Sequence, residues 1–270
     1  MEKLKIAITK NGIDATINDL FCSICEDPVM SELCIPIVYD NGELEAAFHD
    51  LEEENVDALV LTSNAEPTKR FVESVEIVVT EKTNFMSLSK EPTAEDIVKF
   101  RDILERDFDL RSPRIAIVQE SSMQNIDLAS QVTAEQSINT YGPYTVEQIL
   151  KEDAVCHFDG VIVADSEHLM RRLITESSKD APVRYFAGME SVITAVYHPV
   201  HIDNAGDGLA DVSELTHPIY TAIDIIRNRA FYDEARQDIL PKLFRDKREE
   251  RKQNEAPQAN TNNDNTEQAL

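Results

Sequence analysis

Positive charge is scarce in this sequence: 26 lysines and arginines stand against 51 aspartates and glutamates, for a formal charge of -25. Such a balance repels phosphate backbones and anionic lipid surfaces at long range, which excludes nucleic-acid binding unless a local basic patch overrides it. The densest basic stretch, Arg245 to Lys252, is interrupted by Asp246, Glu249 and Glu250 and reads as a solvated helix end. Long apolar runs are also missing, since nothing approaches the ~20 apolar residues of a membrane span. The N-terminal Met-Glu-Lys-Leu-Lys leads only into Ile6-Ala7-Ile8, unlike a signal peptide. These absences predict a cytoplasmic protein with no membrane and no nucleic-acid partner. Cysteine is limited to positions 22, 25, 34 and 156. Cys22 and Cys25 form a C-x-x-C with no second pair to complete a zinc site, so the pair reads as core packing within a helix, with redox or metal use as the alternative.

What is present is a βα pattern. The 270 residues are 42% hydrophobic, enough for one large domain or two lobes. Short β-rich runs at 5–9, 35–39, 58–61, 75–80, 114–118, 160–164 and 183–186 alternate with helical patterns near 14–25, 43–54, 94–108, 125–137, 145–151 and 167–177. That alternation predicts an α/β fold around a largely parallel sheet. Thr93 and Asp96, just after Pro92, form a capping-box pattern with Asp in place of Glu, which fixes a helix start. Residues 213–236 read as one long helix or a helical pair, with Leu215, Ile219, Ala222, Ile223 and Ile226 spaced to bury one face. From about residue 246 large apolar side chains almost vanish, so 246–270 reads as a disordered polar tail.

Tyr197 to Asp211, Tyr-His-Pro-Val-His-Ile-Asp-Asn-Ala-Gly-Asp-Gly-Leu-Ala-Asp, reads as a binding loop. Gly206 and Gly208 permit close backbone approach to a ligand, and His198, His201 and Asp203 are candidates for acid/base or ligand chemistry.

Several segments together resemble the 4-hydroxythreonine-4-phosphate dehydrogenase family (PdxA). They are Ile6-Ala7-Ile8-Thr9, the stretch from Asp27-Pro28 through Tyr39, Arg111-Ser112-Pro113 with the strand after it, Tyr141-Gly142-Pro143-Tyr144, Phe158-Asp159-Gly160-Val161-Ile162, and His198 to Asp211. In the last, His198, Asp203, Ala205, Gly206, Gly208, Ala210 and Asp211 fall in register with the family's D-H-G-T-A-x-D-I-A-G-x-G-x-A-D. The resemblance implies a two-lobed α/β/α fold of the isocitrate dehydrogenase-like type. Lobe one would comprise approximately 1–80 plus 190–245, and lobe two approximately 81–189. It also implies a homodimer whose partner completes each active site, NAD as cofactor, and a divalent metal held by three histidines.

Aligned on that family, the second metal-ligand position falls at Met123 and the third at Ser166, while the first has no candidate between Thr80 and the 94–108 helix. A thioether does not replace imidazole on zinc or magnesium, so a divalent metal is not expected. His198 is followed by Pro199-Val200 where the family has Gly-Thr, which removes an amide donor and a hydroxyl. A vestigial NAD site on His198, Asp203, Gly206 and Gly208 and a turn that merely connects sheet to helix both remain open. The leading expectation is a non-catalytic family member acting as a binding or regulatory dimer, with a protein partner possible. The alternative is an active NAD-dependent dehydrogenase on a phosphorylated hydroxy acid, using a site rebuilt on His168, His198, His201 and Asp203.

Overall fold

The computed structural model describes residues 3–10, 22, 24–40, 42–62, 74–119, 126–164, 167–197 and 212–237. The chain forms two compact units, Met1–Tyr232 and Asp233–Leu270. Of the second, residues 233–237 are described, so the expected tail 246–270 lies outside the described residues.

The first unit is built on strands β1 (Leu4–Thr9), β2 (Cys34–Tyr39), β3 (Ala58–Leu61), β4 (Val75–Val79), β5 (Asn84–Leu88), β6 (Arg114–Val118), β7 (Asn139–Tyr144), β8 (Gly160–Ala164), β9 (Val183–Ala187) and β10 (Val192–Val196). They form one ten-stranded sheet in the order β2-β1-β3-β10-β9-β4-β5-β8-β6-β7. Neighbours run parallel except at β10–β9, β9–β4 and β4–β5. The largely parallel sheet expected from the βα alternation is therefore present.

The helices are α1 (Pro28–Leu33), α2 (Leu44–Glu52), α3 (Ala94–Asp107), α4 (Ile126–Gln136), α5 (Val146–Leu150, continued as a 3-10 turn over Lys151–His157), α6 (Glu167–Ser177) and α7 (Val212–Gln237). Residues 213–236 thus belong to a single helix and not to a pair. The helix expected at 14–25 lies largely outside the described residues.

Three strands and one helix correct the sequence reading. β5 reads Asn-Phe-Met-Ser-Leu and β7 contains Gly142 and Pro143, so neither shows an apolar run. β7 tolerates them because it closes one edge of the sheet, where a ladder donor can be lost. β10 follows β9 through a tight turn in which Gly188 adopts a φ of 88°. α1 starts at Pro28 behind Asp27, whose carboxylate accepts from the Val29 and Met30 amides at 2.7 and 3.1 Å.

Alternation along the strands gives the sheet two buried faces. One carries Ile6, Ile8, Val60, Ile77, Ile117, Ile162 and Tyr185 beneath Met30 of α1, Phe100 and Leu104 of α3, Val132 of α4, and Leu215 and Ile219 of α7. The opposite face divides in two. Ala7, Leu59 and Ile193 pack under Phe48 and Leu51 of α2, while Val78, Val161 and Val163 pack under Val146 of α5 and Leu173 of α6. This is a three-layer α/β/α arrangement. The Thr93–Asp96 capping box is formed, with the Asp96 amide donating to the Thr93 hydroxyl at 3.3 Å and the Thr93 amide to the Asp96 carboxylate at 2.9 Å.

α7 is fixed to the sheet by polar bonds as well as by its apolar stripe. The Thr194 hydroxyl of β10 donates to the Pro218 carbonyl at 2.9 Å. Farther along, Arg229 donates through Nε and Nη2 to the two oxygens of Asp107 at 2.7 and 3.2 Å, and through Nη2 to the Tyr185 hydroxyl at 2.7 Å. Tyr185 in turn donates to Asp107, and Arg229 Nη1 reaches the Glu190 carbonyl. Arg229, Asp107 and Tyr185 are all buried, so each charge has a fitted partner where water is absent.

Candidate functional site

The positions singled out in the sequence fall unevenly. His198, His201, Asp203, Gly206, Gly208, Met123 and Ser166 lie outside the described residues, while His168 is exposed in the first turn of α6. The strand directions nevertheless say where the chain leaves and rejoins the sheet. β1, β2, β3, β4 and β10 share one direction, and β5, β6, β7, β8 and β9 run the opposite way. The chain therefore leaves β10 towards 198–211 at one edge of the sheet. It leaves β6 towards Met123, and β8 towards Ser166 and His168, at the other.

At the first edge the described residues form a cavity that no sequence motif marks. Its volume is about 240 Å³, and it is walled by Val79, Thr80 and Glu81 where β4 ends, Asp180, Ala181 and Val183 where β9 begins, and His217, Tyr220, Thr221 and Asp224 of α7. Val183 pairs with Val79 on one side and with Val196, the last residue of β10, on the other. The cavity thus lies at the carboxyl ends of β4 and β10, where open α/β sheets place their ligands. Its third wall is the helix that follows 198–211 in the chain.

The lining is acidic with an apolar floor. Burial alone would raise the Glu81 carboxyl, but the Ser178 hydroxyl and the Lys179 amide, at 3.0 Å, hold it below its ordinary value. Glu81 is thereby committed to the wall, tying the β4–β5 turn to the segment before β9. The His217 ring is placed by Nδ1, 3.1 Å from the Ala181 carbonyl. Asp224 is an exposed residue, yet desolvation raises its carboxyl above the ordinary value, with Arg227 offsetting part of the effect. Within this wall the hydroxyl-bearing and charged groups of α7 recur at 217, 220, 221 and 224, one helical face. That spacing was present in the sequence but was hidden by the apolar stripe on the same helix.

Among the described residues no group of three His, Cys, Asp or Glu side chains converges at metal-binding distance. The C-x-x-C reading divides: Cys25 is half-buried against the main core, whereas Cys22 is exposed and is no core residue. Burial, with Cys22 and Cys34 nearby, pushes the Cys25 thiol up to about 11, so it is protonated at neutral pH. No helix among the described residues is long and apolar enough to cross a membrane.

This architecture has counterparts among known proteins. No protein-family model matches the chain. Over 176 residues it is 29% identical to the 4-hydroxythreonine-4-phosphate dehydrogenase of Bacteroides thetaiotaomicron. The chain is thus similar in sequence to the 4-hydroxythreonine-4-phosphate dehydrogenase family, as a divergent relative. The matched region takes in 61% of this chain and 48% of that protein, so the chain spans about half the length of the curated relative it matches. The fold is similar to that of the family's enzyme from Burkholderia phymatum, with a TM-score of 0.55 at 12% identity over 83% of this chain and 99% of the other. It is equally similar to isocitrate dehydrogenase from Methylococcus capsulatus, with a TM-score of 0.55 at 10% identity, covering 84% and 87% of the two chains. The expected isocitrate dehydrogenase-like α/β fold is thus found.

Proposed function

We propose that this member of the family has lost the three metal-binding histidines, does not catalyse the dehydrogenase reaction, and acts as a binding or regulatory homodimer. The observation that carries the proposal is the chemistry of the residues at the family's ligand positions. Met123 offers a thioether, Ser166 a neutral hydroxyl, and residues 81–93 contain no histidine at all. These donors do not fit a zinc or magnesium ion that must polarise an alcohol during hydride transfer.

The two-lobe division belongs to the same proposal. Every strand of lobe one, 1–80 plus 190–245, runs in one direction and every strand of lobe two, 81–189, in the other, with β10, β9, β4 and β5 interleaved at the seam. The carboxylates around the cavity beside β10 also disfavour the pyrophosphate of a dinucleotide, which supports weak or absent NAD binding.

The alternative, an active NAD-dependent dehydrogenase on a rebuilt site, draws on the exposed His168 at the exit of β8. Its other residues, His198, His201 and Asp203, lie outside the described residues. The deciding experiment incubates the purified protein with NAD, zinc or magnesium, and 4-phosphohydroxy-threonine. No NADH formation is expected, and turnover comparable to an authentic family enzyme overturns the proposal. Sedimentation velocity tests the dimer.

A further inference from the structure

We propose that the cavity between β4, β9 and α7 binds a small organic cation, a diamine or polyamine. The inference extends the binding role proposed above and rests on it. The cavity is an open cleft of about 240 Å³, just below the roughly 300–1,000 Å³ typical of small-molecule sites. Its position at the carboxyl ends of two strands is the one where α/β sheets present ligands.

The lining selects the chemistry. Val79, Ala181 and Val183 offer an apolar floor for a methylene chain. Asp180 and Asp224 flank it, one on the sheet side and one on α7, and the Thr221 and Tyr220 hydroxyls add acceptors, whereas the Thr80 hydroxyl is held within its own turn by Thr83. Glu81 contributes negative charge but is already bonded to Ser178 and Lys179. Among the described residues no lysine or arginine lines the cavity, so the described lining favours a cation over an anion. A single metal ion is the competing occupant of an acidic pocket. Among the described residues no three carboxylates, histidines or cysteines come together as a metal site would require, and Asp180 and Asp224 stand on different walls, so the lining suits an extended ligand better than one ion. An extended dication spans the two walls, placing an ammonium at each carboxylate and its chain on the valines.

The test uses the full chain and putrescine as probe, with spermidine, magnesium and NAD in parallel, read by isothermal titration calorimetry at low and physiological salt. Saturable one-to-one binding of putrescine is expected, weakened at least tenfold in Asp180→Asn and in Asp224→Asn and unchanged in Glu53→Gln, a surface variant that controls for bulk charge. Circular dichroism of each variant shows that the fold is kept. The proposal is overturned if putrescine does not saturate, if Glu53→Gln weakens binding as much as the cavity variants, or if magnesium binds the cavity in place of the amine. The turnover assay above is independent of these titrations: amine binding with turnover sinks the non-catalytic reading alone, and neither turnover nor amine binding sinks this inference alone.

Discussion

The two halves of α7 carry charge in opposite ways. Around Arg229 each charged or polar group is buried and matched: guanidinium, Asp107 carboxylate and Tyr185 hydroxyl satisfy one another, and the leftover guanidinium donor meets the Glu190 carbonyl. Between about one and a half and three turns earlier, His217, Tyr220, Thr221 and Asp224 face an open cavity that the carboxylates of Asp180 and Asp224 both line. A charge satisfied inside the protein is committed to holding the fold, while charges gathered at a cavity are available to something outside it. The same helix therefore serves as anchor and as binding wall.

The sharpest way to break this comparison is to remove the matched cation. Arg229→Met leaves Asp107 buried and unpaired, which costs about 3–5 kcal/mol. Urea unfolding should show the loss, and a change below 1 kcal/mol would mean that the anchor is not where α7 is held.

A core substitution away from both ends sets the scale. A Cβ on Gly160 would lie 2.6 Å from the Phe100 ring and 2.7 Å from Leu104, both fully buried. Gly160→Ala should therefore destabilise by about 1–3 kcal/mol through overpacking. Thermal melting checks it, and an unchanged melting temperature would show that α3 shifts freely on the sheet.

An exposed, matched polar pair lies between the extremes. Thr93→Ala removes the cap of α3 and should cost about 1 kcal/mol. Burial would raise the Asp96 carboxyl, but the bonds from Thr93 outweigh it and hold it below the ordinary value. The unfolded chain then binds its proton at a higher pH than the folded one. The contribution of the box is therefore full above pH ~4 and fades as pH falls through the lowered value of Asp96. Hydrogen exchange at the first turn of α3 reads this, and the variant should lose the acid-dependent step. At the small end, Asp224→Asn should change stability by no more than about 0.5 kcal/mol, because the carboxylate serves the cavity and not the core. A larger loss in urea unfolding would move Asp224 to the anchoring side of the comparison.

The helix starts and the buried strands were legible in the sequence because local chemistry determines them. Thr93 with Asp96 marked the start of α3, and the apolar runs at 58–61, 114–118 and 160–164 return as strands with the same bounds. β5 and β7 were not legible, since Asn84, Ser87, Gly142 and Pro143 break the pattern and only pairing with β4, β8 and β6 makes them strands. The cavity was still less visible. Its walls come from residues 79–81, 180–183 and 217–224, separated by more than a hundred residues at the widest, and no single segment carries a motif.

By itself, then, the sequence determined the α/β class, the family resemblance and the side-chain chemistry, at Met123 and Ser166 among others, on which the proposed loss of the metal site rests. Those depend on side-chain type and on short-range periodicity. Tertiary structure alone decided that the strands reverse direction between the two halves of one sheet, that Asp107 and Arg229 meet in a dry interior, and that Asp180 and Asp224 share a cavity. Each of these depends on which strand lies beside which, and that is fixed by burial of the whole sheet between its helices.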